Sequence, residues 1–81
     1  MNSRIAILGI IIDNPDVTAQ VNEILHENAD YIVGRMGIPY RSRDLNIISI
    51  VIDAPADVIN SMAGRIGRLN GVSAKTIYSK N

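Results

Sequence analysis

The sequence predicts an α+β domain in which two helices cover one face of a four-stranded antiparallel sheet. Four runs rich in Ile and Val have the length of strands, and two stretches with the apolar spacing of helices separate them. The two halves of the chain also echo each other, because IIIDNPDV at 10–17 and IVIDAPADV at 50–58 both join a strand to a helix. Together these observations predict the order βαββαβ.

The first strand is RIAILGIII at 4–12, an apolar run that ends at an acidic turn. In this turn Asp13 or Asn14 is expected to cap the first helix, and Pro15 suits the first helical position, which needs no N–H donor. The helix is expected to end near 27–30. Its apolar residues form a single stripe, at Val17, Val21, Ile24 and Leu25.

The middle of the chain predicts two strands joined by a turn. YIVGRMGI at 31–38 is the second strand, PYRSRD at 39–44 has the residues of a turn, and LNIISIVID at 45–53 is the third strand. Asp53 at the end of the third strand corresponds to Asp13 in the first half. We interpret both as helix-start residues rather than as a carboxylate pair for acid–base catalysis.

The second helix begins at APADV, with Pro55 and Asp57 expected in its first turn. Gly71 is expected to end it in the left-handed conformation, and VSAKTIYS at 72–79 is the last strand. Two such units with right-handed crossovers give a ferredoxin-like sandwich, as one domain over 1–81. The apolar face of the second helix is predicted at Val58, Met62, Ile66 and Leu69.

Both faces of the predicted central strands are apolar, which indicates an oligomer. In the first strand, Ile5, Ile7 and Ile11 point to one side and Leu8 and Ile10 to the other, and the third strand shows the same pattern. Two helices cover only one face of the sheet, and soluble monomers rarely leave such an apolar face in water. A homo-oligomer, either a dimer or a tetramer, is therefore expected.

The composition argues against several functions. Eight basic and eight acidic side chains cancel, so no overall charge favours nucleic acid or a membrane surface as a partner. The first apolar run is too short to span a bilayer and precedes no cleavage site, which favours a cytoplasmic protein. With no Cys and a single His26, the sequence predicts no metal site, no cofactor and no catalytic residue. We expect a protein that is not an enzyme.

The stretch GRMGIPYR at 34–41 differs most from the aliphatic runs around it. Its glycines permit close approach of a neighbouring strand or a ligand, and its arginines suit a carboxylate or a phosphate. An acylphosphatase-like phosphate loop is disfavoured, because that loop follows the first strand and this chain has DNPD there. GRIG at 64–67 lies within one helix, which disfavours an RNA-binding KH loop. The predicted ligand-binding residues are Asn14, Gly34, Arg35, Met36, Gly37, Tyr40 and Arg41.

Four segments resemble a family of short bacterial proteins described as iron-only hydrogenase system regulators or transcriptional regulators. They are VNEILHE at 21–27, VGRMGIPYR at 33–41, IISIVIDAP at 47–55 and GVSAKTIYSK at 71–80, so the resemblance spans nearly the whole chain. It implies a fold similar to ACT domains and to the C-terminal domain of the nickel-responsive repressor NikR. The nickel ligands of NikR, histidines and a cysteine, have no counterpart here, so that site is not carried over.

The residues and the resemblance together give a leading hypothesis and two alternatives. The leading one is a non-enzymatic, oligomeric sensory or regulatory domain, linked to [FeFe]-hydrogenase regulation. It would bind a small anionic metabolite at a subunit interface lined by 34–41 and by the turn at 13–16. The first alternative is a protein-interaction or accessory subunit without a small ligand, and the less favoured one is an acylphosphatase-like enzyme.

Overall fold

The computed structural model describes residues 2–80 and confirms the predicted βαββαβ order. Its principal elements are β1 (Ser3–Ile12), α1 (Thr18–Glu27), β2 (Ile32–Tyr40), β3 (Leu45–Pro55), α2 (Ala56–Gly67) and β4 (Val72–Tyr78). Short 3₁₀ turns at Pro15–Val17, Ala29–Tyr31 and Arg41–Arg43 lie between them. Neither of the two helices in this part of the chain is long and apolar enough to cross a bilayer.

The strands form one antiparallel sheet in the order β2-β3-β1-β4, which is the ferredoxin-like arrangement. β1 and β3 are central, as expected, and pair over their whole length from Ser3 opposite Pro55 to Ile12 opposite Asn46. β2 and β4 are the edges. The register places the end of β1, the end of β2 and the start of β3 at the same end of the sheet.

One apolar layer between the sheet and the two helices forms the core. Every second residue of β1 and β3 is buried in it, with Leu8 opposite Ile50 at its centre. All four apolar residues predicted on α1 are buried. On α2, Met62 and Ile66 are buried as predicted, but Ile59 takes the place expected for Val58, which is only half-buried. The one-residue difference follows from a helix that starts at Ala56, so that Ile59 lies one turn before Met62 on the inner face.

The opposite side of the sheet, which we call the open face, is covered by neither helix. Ile5, Ile7 and Ile11 of β1 are there, at 45%, 43% and 44% exposure, together with Ile77 of β4 at 67%. The register extends this surface across all four strands. Besides these isoleucines, it includes Gly9, Gly34, Met36, Ile38, Tyr40, Leu45, Ile47, Ser49, Val51, Asp53, Ser73 and Lys75.

Two predicted boundaries are wrong because of proline. β2 continues through Pro39 and Tyr40, which the sequence placed in the following turn. On an edge strand an absent N–H removes no hydrogen bond when it faces outward, so Pro39 does not end the pairing with β3. Pro55 is the last residue of β3 and the N-cap position of α2 rather than part of its first turn, whereas Asp57 is in that turn as predicted.

Asn14, not Asp13, caps the first turn. Its side-chain oxygen accepts a hydrogen bond from the backbone N–H of Asp16 at 3.1 Å. Asp53 lies within β3, and no side chain caps α2, so the helix-start role expected for both aspartates is wrong. They also cannot act as a catalytic pair. Asp53 is opposite Ile5, and Asp13 follows eight residues later along β1, roughly 26 Å away at the rise of a strand.

The two helices are joined at their solvent side by an ion pair. The Arg65 guanidinium of α2 donates to both carboxylate oxygens of Glu27 on α1, at 3.0 and 3.4 Å, and both side chains are about half exposed. These hydrogen bonds and the positive charge hold the pKa of Glu27 below its ordinary value, and they raise the pKa of Arg65.

The lowered pKa of Glu27 gives its contribution to stability a definite pH dependence. A carboxyl whose pKa is lower in the folded state stabilises the fold at pH values above its unfolded pKa of about 4.3. This stabilisation is lost as the pH falls through the lower, folded-state pKa. Glu27→Gln should therefore lower the melting temperature slightly at pH 7, with the deficit vanishing in strong acid and shrinking in 1 M salt. Thermal unfolding across pH 2–7 measures this, and a deficit that persists unchanged at low pH would contradict it.

Candidate functional site

The structure divides the predicted ligand-binding residues between two faces of the sheet. Successive side chains of a strand point to opposite faces, so Gly34, Met36 and Tyr40 lie on the open face, and Arg35 and Gly37 lie on the helix side. Arg41 follows in the 3₁₀ turn after β2. The side-chain amide of Asn14 donates to the carbonyl oxygen of Asn70 at 3.5 Å.

A hollow of about 440 Å³ lies where β1 ends and β2 turns into β3, and we call it the end hollow. It brings the turn after β1 together with the end of β2, the two segments that the sequence predicted would meet. One arginine and two carboxylates line it, so it presents charges of both signs. Its lining residues are Asp13, Pro15, Pro39, Arg41, Asp44, Leu45 and Asn46.

Local geometry holds the β2–β3 turn in a defined shape beside this hollow. The backbone N–H of Asp44 donates to the carbonyl of Arg41 at 3.2 Å and closes a single 3₁₀ turn. Asp44 then takes the left-handed conformation at φ 53°, which aspartate tolerates better than most residues. Among residues 2–80 the guanidinium of Arg41 has no hydrogen-bond or ion-pair partner, so its donors are available to a ligand.

A second, smaller hollow of about 250 Å³ lies between α1 and the helix side of β2. Arg35 and Gly37 line it, and the Arg35 guanidinium donates to the side-chain oxygen of Asn22 on α1 at 3.0 Å. The hydroxyl of Thr18 borders the same space and is buried without a hydrogen-bond partner in the described structure. This volume is below the range of about 300–1,000 Å³ that is usual for ligand pockets, whereas the end hollow lies within it.

Two polar residues of the end hollow, Asp44 and Asn46, lie outside the predicted site, because they come after the glycine-rich stretch. Asp13 belongs to the turn at 13–16 that was predicted to line the site, but it was not one of the predicted ligand-binding residues. The strand order contained a signal for them, because the ends of β1 and β2 and the start of β3 share one end of the sheet. No three His, Cys, Asp or Glu side chains within residues 2–80 are placed to share a metal ion.

Fold and site together place the chain among ferredoxin-like α+β domains, with a hollow at one end of the sheet. Within that class, it belongs to the TM1266-like family of iron-only hydrogenase system regulators, whose model matches residues 4–76. The resemblance inferred from the sequence is thus confirmed. No curated protein matches the sequence.

Solved structures agree with this assignment. The uncharacterized protein TM1266 from Thermotoga maritima is 35% identical, with a TM-score of 0.93 over 98% of this chain and 100% of that one. The C-terminal domain of MgtC from Mycobacterium tuberculosis is 9% identical, with a TM-score of 0.74 over 96% and 89% of the two chains. A formyltetrahydrofolate deformylase from Pseudomonas putida is 17% identical, with a TM-score of 0.68 over 95% of this chain and 29% of that one. The last two share only the fold.

Proposed function

We propose that this chain is a non-enzymatic regulatory subunit of a bacterial [FeFe]-hydrogenase system. It would act in the cytoplasm as a homo-oligomer and bind a small anionic metabolite in the end hollow. Membership of the regulator family supports the regulatory role. The observation that carries the ligand assignment is the guanidinium of Arg41, which has no hydrogen-bond or ion-pair partner among residues 2–80. It lines a hollow of about 440 Å³, large enough for a small metabolite.

The charges of the end hollow narrow the chemistry of the ligand. The planar guanidinium of Arg41 offers paired donors that match a carboxylate or a phosphate. Asp13 and Asp44 line the same space and accept hydrogen bonds but offer none when ionised. A ligand that complements both the positive and the negative side chains of the hollow has an anionic group that binds Arg41 and an ammonium or hydroxyl group that donates to one of the aspartates.

Arg35 lines the smaller hollow and not the end hollow, although Pro39 and Asn46 line both. It lies six residues before Arg41, roughly 20 Å along an extended strand, so one small metabolite does not contact the backbone positions of both. Its hydrogen bond to Asn22 also gives it a structural partner on α1. Arg35→Ala therefore tests the smaller hollow beside α1, and Arg41→Ala tests the end hollow.

The proposal is tested by calorimetric titration of the wild-type chain with glutamate, citrate and inorganic phosphate. At least one of these probes should bind, and Arg41→Ala should weaken that binding roughly 10- to 100-fold, because a hydrogen bond to a charged group contributes about 1.5–3 kcal/mol. Arg43→Ala is the matched control, since Arg43 belongs to the same 3₁₀ turn but does not line the hollow.

Two outcomes would count against this function. If Arg41→Ala and Arg43→Ala weaken binding equally, the arginines act through general charge and the end hollow is not the site. If no probe binds the wild-type chain, the alternative of an interaction subunit without a small ligand is favoured. The exposed apolar open face is the observation that supports that alternative.

A further inference from the structure

The open face has the size and composition of a protein interface. Four strands about 4.8 Å apart and about ten residues long at ~3.3 Å per residue give a flat footprint of roughly 600 Å². Two such surfaces packed face to face bury roughly 1,200 Å² in total, before the extra area of protruding side chains is added. This area is the lower limit for specific, stable interfaces. Of the strand residues on this face only Lys75 and Asp53 are charged, which is the pattern of an interface core.

The surface is not flat, because a glycine interrupts its centre. Gly9 lies between Ile7 and Ile11 on this side of β1, and a hollow of about 290 Å³ opens over it. Its walls include Ile11 and Ile47 on one side, with Ser49 and Lys75 across the strands from Gly9. A Cβ placed at Gly9 would have only the Lys75 carbonyl oxygen within 4 Å, at 3.9 Å, so this gap is not filled from within the chain.

We propose that a second copy of this chain covers the open face, with a two-fold axis parallel to the strands between β1 and β3. Two sheets of equal length and twist stack at about 10 Å with their strands nearly aligned. This axis places Ser49 of each copy over the partner's Gly9, so that a side chain faces the gap. It also places Val51 over the partner's Ile7. The inference specifies the homo-oligomer of the proposed function but does not depend on the ligand.

The charge of Lys75 favours this axis over a two-fold axis that runs perpendicular to the strands across the row of Gly9, Ser49 and Lys75. Such an axis would put each residue of that row over its own copy, with Lys75 facing Lys75 and Gly9 facing Gly9. That arrangement brings like charges together and leaves the central gap empty. With the axis parallel to the strands, β2 lies over the partner's β4, so Met36 faces the alkyl stem of Lys75 and Gly34 faces the protruding Ile77.

The first test uses two glycines of the same strand that face opposite sides. A Cβ at Gly34 or at Gly37 meets nothing within 4 Å, so a side chain can begin at either position without a steric clash. Gly34→Lys puts a charge into the proposed interface, and Gly37→Lys puts the same charge on the helix side. By native mass spectrometry, we expect the wild type and Gly37→Lys to be at least twice the 8.8 kDa chain, and Gly34→Lys to fall to a smaller species.

A monomeric wild type would overturn the proposal, and so would an assembly that survives Gly34→Lys or is lost only in Gly37→Lys. None of these outcomes alters the calorimetric test of Arg41, so failure of the interface and failure of the ligand site are separable.

The second test addresses the position of the axis. The chain has no cysteine, so a single introduced thiol reports one contact. Ser49→Cys lies beside the proposed axis and should give a covalent dimer in high yield with a short bis-maleimide. Ser61→Cys, exposed on α2 in the helix layer, is the control and should stay monomeric on denaturing gels. Equal yields at both positions, or a higher yield from Ser61→Cys, would overturn the face-to-face arrangement.

Discussion

Leu8→Ala should lower the free energy of unfolding by about 3–4 kcal/mol, the cost of removing a large aliphatic side chain from a packed core. Leu8 is fully buried at the centre of β1, opposite Ile50 on the neighbouring central strand, where neither strand has room to collapse into the space left. A domain of this size has a total stability of only roughly 4–12 kcal/mol. The variant should therefore be close to unfolding at 37 °C, as measured by urea denaturation followed by circular dichroism.

The control for Leu8→Ala is the next residue on the strand. Ile7 points to the open face, so within one chain Ile7→Ala should cost less than about 1 kcal/mol. If the open faces pair, this variant loses further stability through the weakened dimer, and its midpoint depends on protein concentration less steeply than that of the wild type, because a smaller fraction of it is dimeric. Leu8→Ala should have nearly the same deficit at every concentration. Equal deficits for the two variants would contradict the assignment of β1 to one covered and one open face.

The buried faces of β1 and α1 were predicted correctly because their apolar residues recur with a fixed period. The alternation of β1 sorted Leu8 and Ile10 from Ile7 and Ile11 correctly, because a two-residue period allows only two assignments. The apolar stripe predicted on α1 was also correct, since all of its residues are buried. The left-handed conformation of Gly71 was also predicted correctly, at φ +79°, but its role as the end of the second helix was wrong, because α2 ends at Gly67 with Arg68 as its C-cap.

The candidate site was only partly predictable, for a different physical reason. The sequence predicts one site along the whole glycine-rich stretch. Successive side chains of a strand point to opposite faces, however, so Arg35 and Met36 belong to different surfaces. Asp44 and Asn46 join the site only because β3 begins where β1 ends. That proximity depends on the register of two strands distant in sequence, and short patterns contain no information about it.

The turn that holds one wall of the end hollow depends on Gly71. Its carbonyl accepts a hydrogen bond from the backbone N–H of Asp13 at 2.8 Å, so the start of β4 fixes the end of β1. A Cβ at this position would lie 2.6 Å from the Cβ of Asn14 and 2.7 Å from Oδ1 of Asp13. The conformation and the lack of space therefore act together to require glycine here.

Gly71→Ala should consequently destabilise the fold by about 3 kcal/mol or more, which combines roughly 1–2 kcal/mol of left-handed strain with the displacement of the Asp13–Asn14 turn. Gly67→Ala is the matched control. Gly67 is the last residue of α2, and a Cβ there would lie 3.9 Å from the Cβ of Ala74, an ordinary contact distance. Gly67→Ala should therefore stabilise the fold by about 0.4–1 kcal/mol. Chemical denaturation of both variants measures the difference.

A double variant separates the two causes. Asn14→Gly removes the Cβ nearest to residue 71 and costs only a few tenths of a kcal/mol as a cap. Combined with Gly71→Ala, it should recover the part of the loss that comes from the contact and leave the part that comes from the positive φ. Strictly additive losses would mean that the turn already yields to the extra methyl group. In that case Gly71→Ala should displace Asp13 from its position in the end hollow and weaken any binding there.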